Sequence, residues 1–208
     1  MSVLISPYKN LVQYTKIQLQ PYQLNSDIES NMELVLQQKV EKKCNKYGFV
    51  DKIYRISEYD EGYIKKENLS GSVNYNISYQ CRMCLPIENT VLIGKIAAIN
   101  QELVMLTNGP IVIFVPKVNI DTNIWNISSV FTTKKDNKQL EKDNLIKVLI
   151  LKVKINQNDT QIKCIGTLQE PASDKEVEQY YGVVIEKETD SIDGDNNENE
   201  EQNNNFIL

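Results

Sequence analysis

The sequence predicts an α+β protein in which a helix packed on a small antiparallel sheet precedes a closed β-barrel. Two observations predict this order: a segment with helical spacing of apolar residues lies between segments of β-type alternation, and five short β-rich segments follow residue 86. With 208 residues, the chain can bury a sizeable core. We therefore expect an N-terminal domain at residues 1–85, a barrel domain at 86–171 and an acidic tail at 172–208.

The N-terminal part predicts one strand and one helix. Alternating Thr15, Ile17 and Leu19 predict a short strand that Pro21 ends. Ser26 and Glu29 match a capping box, which predicts a helix over 27–44 that stops at 45–48. The apolar residues predicted to line one face of this helix are Ile28, Met32, Val35, Leu36 and Val40.

Two further strands complete the predicted sheet. Residues 49–57 are β-rich, and Val50, Tyr54 and Ile56 are expected on one side. Residues 75–85 alternate strictly between apolar and polar side chains and predict the clearest strand of the chain. The polar segment 58–71 between these strands is predicted to be an irregular loop.

The second half predicts a small Greek-key barrel of the OB type. Five strands within about 80 residues, the first containing Gly94, favour this architecture, and a sandwich fragment is the alternative. The predicted strands are Val91–Ile99, Leu103–Thr107, Ile111–Val115, Leu145–Ile155 and Thr160–Leu168. The long connection 124–144 contains Trp125 and the pair Lys134–Lys135.

The acidity of the chain is concentrated in its tail. The net charge is −5, but residues 1–85 and 86–170 each carry about +2 and residues 171–208 about −9. Residues 174–181 predict one or two helical turns, and 186–205 predict disorder. The apolar end Phe206–Leu208 is either a docking peptide or a frayed terminus.

The composition favours a binding role over catalysis. The chain contains no histidine, which excludes Ser-His and Cys-His catalysis and His-ligated zinc. The sequence shows no carboxylate pair placed in a pocket and no Gly-rich phosphate loop, so we expect no catalytic residues and no cofactor.

The sequence also shows no signal peptide or membrane-length apolar run, and its four cysteines are scattered, which predicts an intracellular protein with reduced thiols.

Cys81 and Cys84 have the spacing of a metal or redox motif. On a strand, however, positions three apart point to opposite faces, so these thiols should diverge. A metal site is therefore not expected, and buried strand cysteines are the prediction.

Two sets of residues are candidates for binding. Lysines of the barrel with one aromatic residue could contact RNA, although plain surface lysines would look the same; the candidates are Lys95, Phe114, Lys117, Lys147, Lys152, Lys154 and Lys163. The loop 58–71 carries apolar groups that could dock a partner, or it could simply be solvated. Its candidate residues are Tyr59, Gly62, Tyr63, Ile64, Leu69 and Gly71.

Four segments resemble the stalk subunit of multisubunit DNA-directed RNA polymerases, the seventh-subunit family of RNA polymerase II with its archaeal counterpart. The most specific is Cys44–Val50, in which Lys46, Tyr47, Gly48 and Phe49 resemble the family's junction between helix and strand. The others are Val73–Cys81, Ile162–Leu168 and Thr15–Pro21 with Leu24. The resemblance covers residues 14–171.

This resemblance implies a non-catalytic subunit with an N-terminal tip domain and an S1-type OB domain. The tip loop, 60–71 here, would dock on the polymerase core near the clamp, and the barrel would contact nascent single-stranded RNA weakly and without sequence preference. The helix and inner strand would contact a smaller stalk partner. A free-standing S1-type RNA-binding protein and a purely structural adaptor remain the alternatives.

Two features depart from the family pattern. The segment Ile87–Gly94 keeps only the last glycine of the family's Gly-rich barrel start, and the acidic tail has no counterpart. The abundance of Asn, Ile and Lys indicates an AT-rich genome, which fits a large DNA virus or a low-GC eukaryote. The protein would accordingly act with the transcription machinery in a nucleus, a virion or the host cytoplasm.

Overall fold

The computed structural model describes residues 4–127, 131–135 and 139–189. The predicted disorder of residues 186–205 is wrong for 186–189, which belong to a helix; the rest of this segment and the apolar end Phe206–Leu208 lie outside the described residues. The strands are β1 Tyr8–Leu19, β2 Lys43–Cys44, β3 Phe49–Tyr59, β4 Val73–Cys84, β5 Val91–Ile99, β6 Leu103–Asn108, β7 Ile111–Pro116, β8 Trp125–Ile127, β9 Phe131–Thr133, β10 Leu145–Lys154 and β11 Ile162–Pro171. The helices are α1 Ile28–Val40 and α2 Asp174–Thr189.

The N-terminal half is a four-stranded antiparallel sheet with the order β1-β4-β3-β2. Helix α1 packs on one face of this sheet through buried Met32 and Leu36, as its apolar spacing predicts. β4 contributes the largest share of the sheet side of this core. The buried members of the core are Ile17, Leu19, Met32, Leu36, Val50, Ile53, Tyr75, Ile77, Tyr79, Cys81 and Met83.

Helix α1 is shorter than predicted at both ends. Asp27, rather than Ser26, is the N-cap, and no side chain caps the first turn, so the predicted capping box is wrong. The helix ends at Val40 because Glu41 is extended, with φ −69° and ψ 142°, and Lys42 then adopts the left-handed conformation, with φ +57°. The chain then turns directly into β2, and residues 45–48 form a hairpin turn instead of the helix stop.

Strand β3 faces the helix with Ile53 instead of the predicted Tyr54. Its pairing with β4 contains three register shifts, which follow Val50, Ile53 and Ile56. Each shift inserts one extra residue, as in a β-bulge, and therefore changes the inward period from two residues to three. Val50 and Ile53 are consequently buried beneath α1, and Ile56 packs against them.

The second half closes into a five-stranded barrel with the order β10-β11-β7-β6-β5. All neighbouring strands are antiparallel except β7 and β11, which are parallel. This arrangement is consistent with an OB-like fold, and the five predicted strands are confirmed to within three residues at each end. The buried apolar interior includes Leu92, Ile96, Val104, Leu106, Ile113, Val115, Ile146, Val148, Ile150, Cys164 and Leu168.

The predicted long connection between barrel strands contains the short antiparallel pair β8 and β9. Trp125 at the start of β8 is 1% exposed and belongs to the barrel core. Its indole Nε1 donates a hydrogen bond to the carbonyl oxygen of Gln169 at 3.1 Å. The connection is therefore held against the barrel by its aromatic residue.

One end of the sheet is continuous with the barrel core. Cys44, Phe49 and Cys84 belong to that core, whereas Cys81 belongs to the core beneath α1. The prediction that the thiols of Cys81 and Cys84 diverge is therefore confirmed. The backbone N–H of Cys44 donates to the carbonyl oxygen of Asp159, and the N–H of Asn158 donates to the carbonyl oxygen of Cys44, both at 2.8 Å.

Helix α2 spans 16 residues and is longer than the one or two turns predicted. A capping pair starts it: the Ser173 N–H donates to Glu176 Oε2 at 2.9 Å, and the Glu176 N–H points back to Ser173 Oγ. Tyr180 is buried against the barrel and its hydroxyl accepts a hydrogen bond from Asn108 Nδ2 at 2.8 Å. Neither described helix is long and apolar enough to cross a membrane.

Candidate functional site

The first residues of the loop between β3 and β4 are held by hydrogen bonds to β4. Asp60 Oδ1 accepts hydrogen bonds from the backbone N–H groups of Gly62 and Asn76, at 3.2 and 3.0 Å. The Asn76 bond contributes most to holding the pKa of the Asp60 carboxyl below its usual value. Tyr63 and Asn74 exchange two backbone hydrogen bonds of 2.9 Å. The loop therefore presents its tip from an ordered base.

Two glycines allow the turns of this loop. Gly62 and Gly71 have φ values of +76° and +69°, a region that favours glycine. A Cβ atom at Gly62 would also lie 2.6 Å from the Tyr75 ring. The predicted members Gly62 and Gly71 therefore shape the loop and contribute no side-chain contact.

The apolar side chains of the loop differ in how freely they are exposed. Leu69 is 100% exposed and Ile64 56% exposed. The Tyr63 hydroxyl accepts a hydrogen bond from Lys16 Nζ, which lies 5.0 Å from the ring centroid. The Tyr59 hydroxyl donates to Glu29 Oε1 on α1 at 3.0 Å. Ile64 and Leu69 are thus the apolar groups best placed to meet a partner.

The predicted junction Lys46-Tyr47-Gly48-Phe49 forms the hairpin between β2 and β3. Asn45 Oδ1 accepts hydrogen bonds from the N–H groups of Tyr47 and Gly48, at 2.8 and 3.0 Å. A Cβ atom at Gly48 would lie 2.7 Å from the Cys84 carbonyl oxygen, so the hairpin packs against β4. Phe49 is buried, and Tyr47 is 54% exposed with Lys46 Nζ 4.6 Å from its ring centroid.

The outside of the barrel carries a row of apolar side chains on three adjacent strands. Met105 on β6 is opposite Phe114 on β7, which is opposite Ile165 on β11. All three point outward between buried neighbours, and Ile165 is 43% exposed. The lysines beside this row are Lys152, opposite Ile165, and the pair Lys154 and Lys163, opposite one another. We name these six residues the outer barrel face.

The predicted RNA-binding lysines do not form one cluster. Lys152 and Lys154 are exposed on the outer barrel face, and Lys117 follows β7 three residues after Phe114. Lys147 is instead paired with Glu176 of α2, its Nζ 3.0 Å from Oε1. Lys95 is paired with Asp143 at 2.9 Å.

Sequence reasoning missed Met105 and Ile165 as members of an exposed surface. Both follow the period-two alternation of their strands, in which their neighbours are buried. That alternation assigns them to the solvent side once the strand is recognised. Apolar residues at outward positions of the three adjacent strands β6, β7 and β11 were the signal that could have found them.

The cysteines have no role as reactive groups in this geometry. All four are buried as free thiols. Burial raises the pKa of Cys81 to about 11 and that of Cys164 to about 12, so these thiols stay protonated at neutral pH. Within residues 4–127, 131–135 and 139–189, no group of three or more Cys, Asp or Glu side chains could hold a metal ion.

Comparison with known proteins assigns the chain to a family. No protein-family model matches it. A protein of Acanthamoeba polyphaga mimivirus named "Putative DNA-directed RNA polymerase subunit L376" is 32% identical over 166 residues, which is 79% of the chain and 83% of the mimivirus protein. The match is long enough to include most of both the sheet and the barrel. The chain belongs to the family of DNA-directed RNA polymerase subunits to which this mimivirus protein belongs.

Proposed function

We propose that the chain is a non-catalytic stalk subunit of a viral DNA-directed RNA polymerase. The observation that carries this proposal is the 32% identity to a mimivirus protein named as a polymerase subunit. A β-sheet unit followed by a closed OB-like barrel supports the stalk type in particular, since this is the order that the sequence resemblance implies. The protein would act in the virion or in the host cytoplasm, together with the other polymerase subunits.

The loop 60–71 is the proposed docking element toward the polymerase core. Its base is fixed by Asp60 and by the Tyr63–Asn74 backbone pair, so little conformational freedom would be lost on binding. Ile64 and Leu69 expose apolar surface that a partner could bury. The outward side of α1 would be left for a smaller stalk partner.

The outer barrel face is the proposed contact for nascent RNA. Phe114, with Met105 and Ile165 beside it, offers surface on which a base could stack. The exposed ammonium groups of Lys152 and Lys154 would meet phosphates. Because so few cations take part, we expect weak binding without sequence preference.

Affinity purification of the tagged chain from cells that express it, followed by mass spectrometry, tests the subunit assignment. The wild type should recover the largest polymerase subunits, and the double variant Ile64→Ser/Leu69→Ser should recover at least tenfold less. Val118→Ser is the matched control, because Val118 is 89% exposed on the barrel and outside the loop. Absence of large polymerase subunits from the wild-type sample would refute the proposal.

A free-standing S1-type single-stranded RNA-binding protein is the second candidate function. The observation that favours it is the outer barrel face, which would serve equally well outside a polymerase. This candidate requires binding of single-stranded RNA by the isolated chain at micromolar strength or better. It also requires that the Ile64→Ser/Leu69→Ser variant behave as the wild type in cells.

A further inference from the structure

A cavity of about 280 Å³ lies where the C-terminal end of α1, the sheet and the barrel meet. Its walls come from the middle of β1, the end of α1, the β2–β3 hairpin, β4 and the turn between β10 and β11. Its polar lining includes Lys39, Lys43, Asn45, Lys46, Tyr47 and Tyr79. Five separate parts of the chain thus converge on one opening.

Tyr79 contributes a hydroxyl group to this wall. The residue is 1% exposed, and its hydroxyl forms no hydrogen bond with any residue that the structure describes. Burial raises the pKa of Tyr79 to about 12, so the hydroxyl is a protonated donor at neutral pH. No buried side-chain oxygen of the described residues lacks a hydrogen-bond partner, so the Tyr79 hydroxyl is open to the cavity that it lines and can donate to water or to a ligand there.

The cavity is cationic. Lys39, Lys43 and Lys46 contribute three positive charges, and none of the described residues that line the cavity carries a carboxylate. Lys43 Nζ lies 2.5 Å from the Gln38 carbonyl oxygen at the end of α1, which fixes its position. An anionic group is therefore the ligand type that the charges favour.

The hairpin and the barrel turn add groups that suit a nucleobase. Tyr47 exposes about half of its surface beside Lys46, and aromatic rings provide stacking surfaces for bases. Asn45, Gln157 and Asn158 carry amide side chains, which both donate and accept hydrogen bonds. A volume of about 280 Å³ is at the lower end for small-ligand pockets and suits one nucleotide rather than several.

The cavity lies close to the outer barrel face along the chain. Lys154 ends β10, and Asn158 follows four residues later, a separation of at most about 14 Å along the backbone. Lys154 and Lys163 face one another at this end of the barrel. A strand of RNA that crosses the outer barrel face would therefore reach the cavity by passing this pair of lysines.

We propose that this cavity binds one nucleotide of single-stranded RNA, with its phosphate among the lysines and its base against Tyr47. The inference rests on the proposed RNA contact of the barrel and adds a second, separate contact on the N-terminal sheet. One nucleotide of RNA and a free nucleotide both carry a phosphate and a base. A free nucleotide is therefore the alternative ligand for this cavity.

Fluorescence anisotropy with a labelled 12-nucleotide oligouridylate at low salt tests the proposal on the full chain. Tyr79→Phe removes only the hydroxyl and Lys46→Gln only the charge, and each should weaken binding about fivefold. An oligonucleotide carrying 4-thiouridine should crosslink to the segment 45–48. Titration with uridine monophosphate alone distinguishes the two sources, since saturation at micromolar concentration would overturn the RNA assignment in favour of a free nucleotide.

Phe114→Ala separates this inference from the proposed function. If Phe114→Ala weakens binding but Tyr79→Phe and Lys46→Gln do not, the cavity is not an RNA site and the barrel contact stands. If the wild type does not bind the oligonucleotide at all, the cavity contact and the barrel contact with RNA are both refuted, whereas the subunit assignment is still decided by affinity purification. If Lys46→Gln leaves RNA affinity unchanged but loses a polymerase subunit in affinity purification, the cavity binds an acidic protein segment and the inference is overturned. Thermal unfolding of each variant confirms that it is folded.

Discussion

Asp51 accepts hydrogen bonds from the Arg82 side chain, with Nε 2.8 Å from Oδ2, at the place where the sheet meets the barrel. Lys42, just after α1, holds the other carboxylate oxygen at 2.8 Å. The Arg82 guanidinium in turn lies 5.2 Å from the centroid of the Tyr8 ring on β1. One carboxylate thus links the segment after α1 with β3 and β4, next to the residues that join the two cores.

Replacing this carboxylate should destabilise the fold. Asp51 is 8% exposed, and removing one member of a buried ion pair costs on the order of 3 kcal/mol, because the remaining charge loses its partner. We therefore expect Asp51→Ala to lower the free energy of unfolding by about that amount in chemical denaturation. Lys42→Ala should cost less than about 1 kcal/mol, because the Lys42 side chain is 65% exposed.

The same carboxylate makes stability depend on pH. Burial acts to raise the pKa of Asp51, but hydrogen bonds from Lys42 and Arg82 and their charges outweigh it, and the pKa lies below its ordinary value. A lowered folded-state pKa contributes stability above the unfolded value of about 3.9 and loses it as the pH falls toward the folded value. Unfolding measured between pH 7 and pH 3 should show a smaller loss for Asp51→Asn than for the wild type. Parallel curves would contradict this account.

The sequence was most informative where regular alternation determines the structure. The strict alternation of residues 75–85 predicted β4, and the five β-rich segments after residue 86 predicted the barrel. In both regions one side of each strand is buried, so the alternation of apolar and polar side chains indicates which residues face the core. The apolar spacing of Met32 and Leu36 predicted the buried face of α1 for the same reason.

The sequence was least informative where β-bulges or a change of backbone conformation interrupt a regular strand or helix. Three bulges in β3 bring Ile53 beneath α1 in place of Tyr54, and no residue type marks them. The extended conformation of Glu41 ends α1 earlier than the apolar pattern suggests. Helix α2 depends on Tyr180 packing against Asn108, 72 residues away in the chain, a contact that no local pattern predicts.

Substitutions of lysine should separate the two groups of candidate RNA-binding residues. Lys152→Gln and Lys154→Gln should each weaken oligonucleotide binding severalfold and reduce its salt dependence, because each removes one phosphate contact. Lys147→Gln should leave the affinity unchanged, because the Lys147 ammonium is paired with Glu176 of α2. Anisotropy titrations at two salt concentrations measure both effects. Equal losses for all three variants would show that α2 does not shield Lys147.

The hydrogen bonds of Asn108 should decide whether α2 stays on the barrel. Asn108 Nδ2 donates to the Ile93 carbonyl oxygen at 2.7 Å and to the Tyr180 hydroxyl at 2.8 Å. Tyr180→Phe removes one of these bonds and should cost about 1 kcal/mol. Hydrogen exchange should then become faster in α2 while exchange in the barrel strands stays slow. Unchanged exchange in α2 would mean that other contacts hold it.

A substitution in the loop 60–71 can change the shape of the loop backbone without changing its exposed side chains. Gly62→Ala places a Cβ atom 2.6 Å from the Tyr75 ring and strains a residue with φ +76°, so the loop should shift while Ile64 and Leu69 remain exposed. We expect a modest loss of global stability, on the order of 1–2 kcal/mol, and a severalfold loss of polymerase recovery in affinity purification. Lys65→Gln is the control, because it alters an exposed loop side chain without straining the backbone. Normal recovery for Gly62→Ala, with an altered loop confirmed by hydrogen exchange, would exclude a docking mode that depends on the shape of the loop.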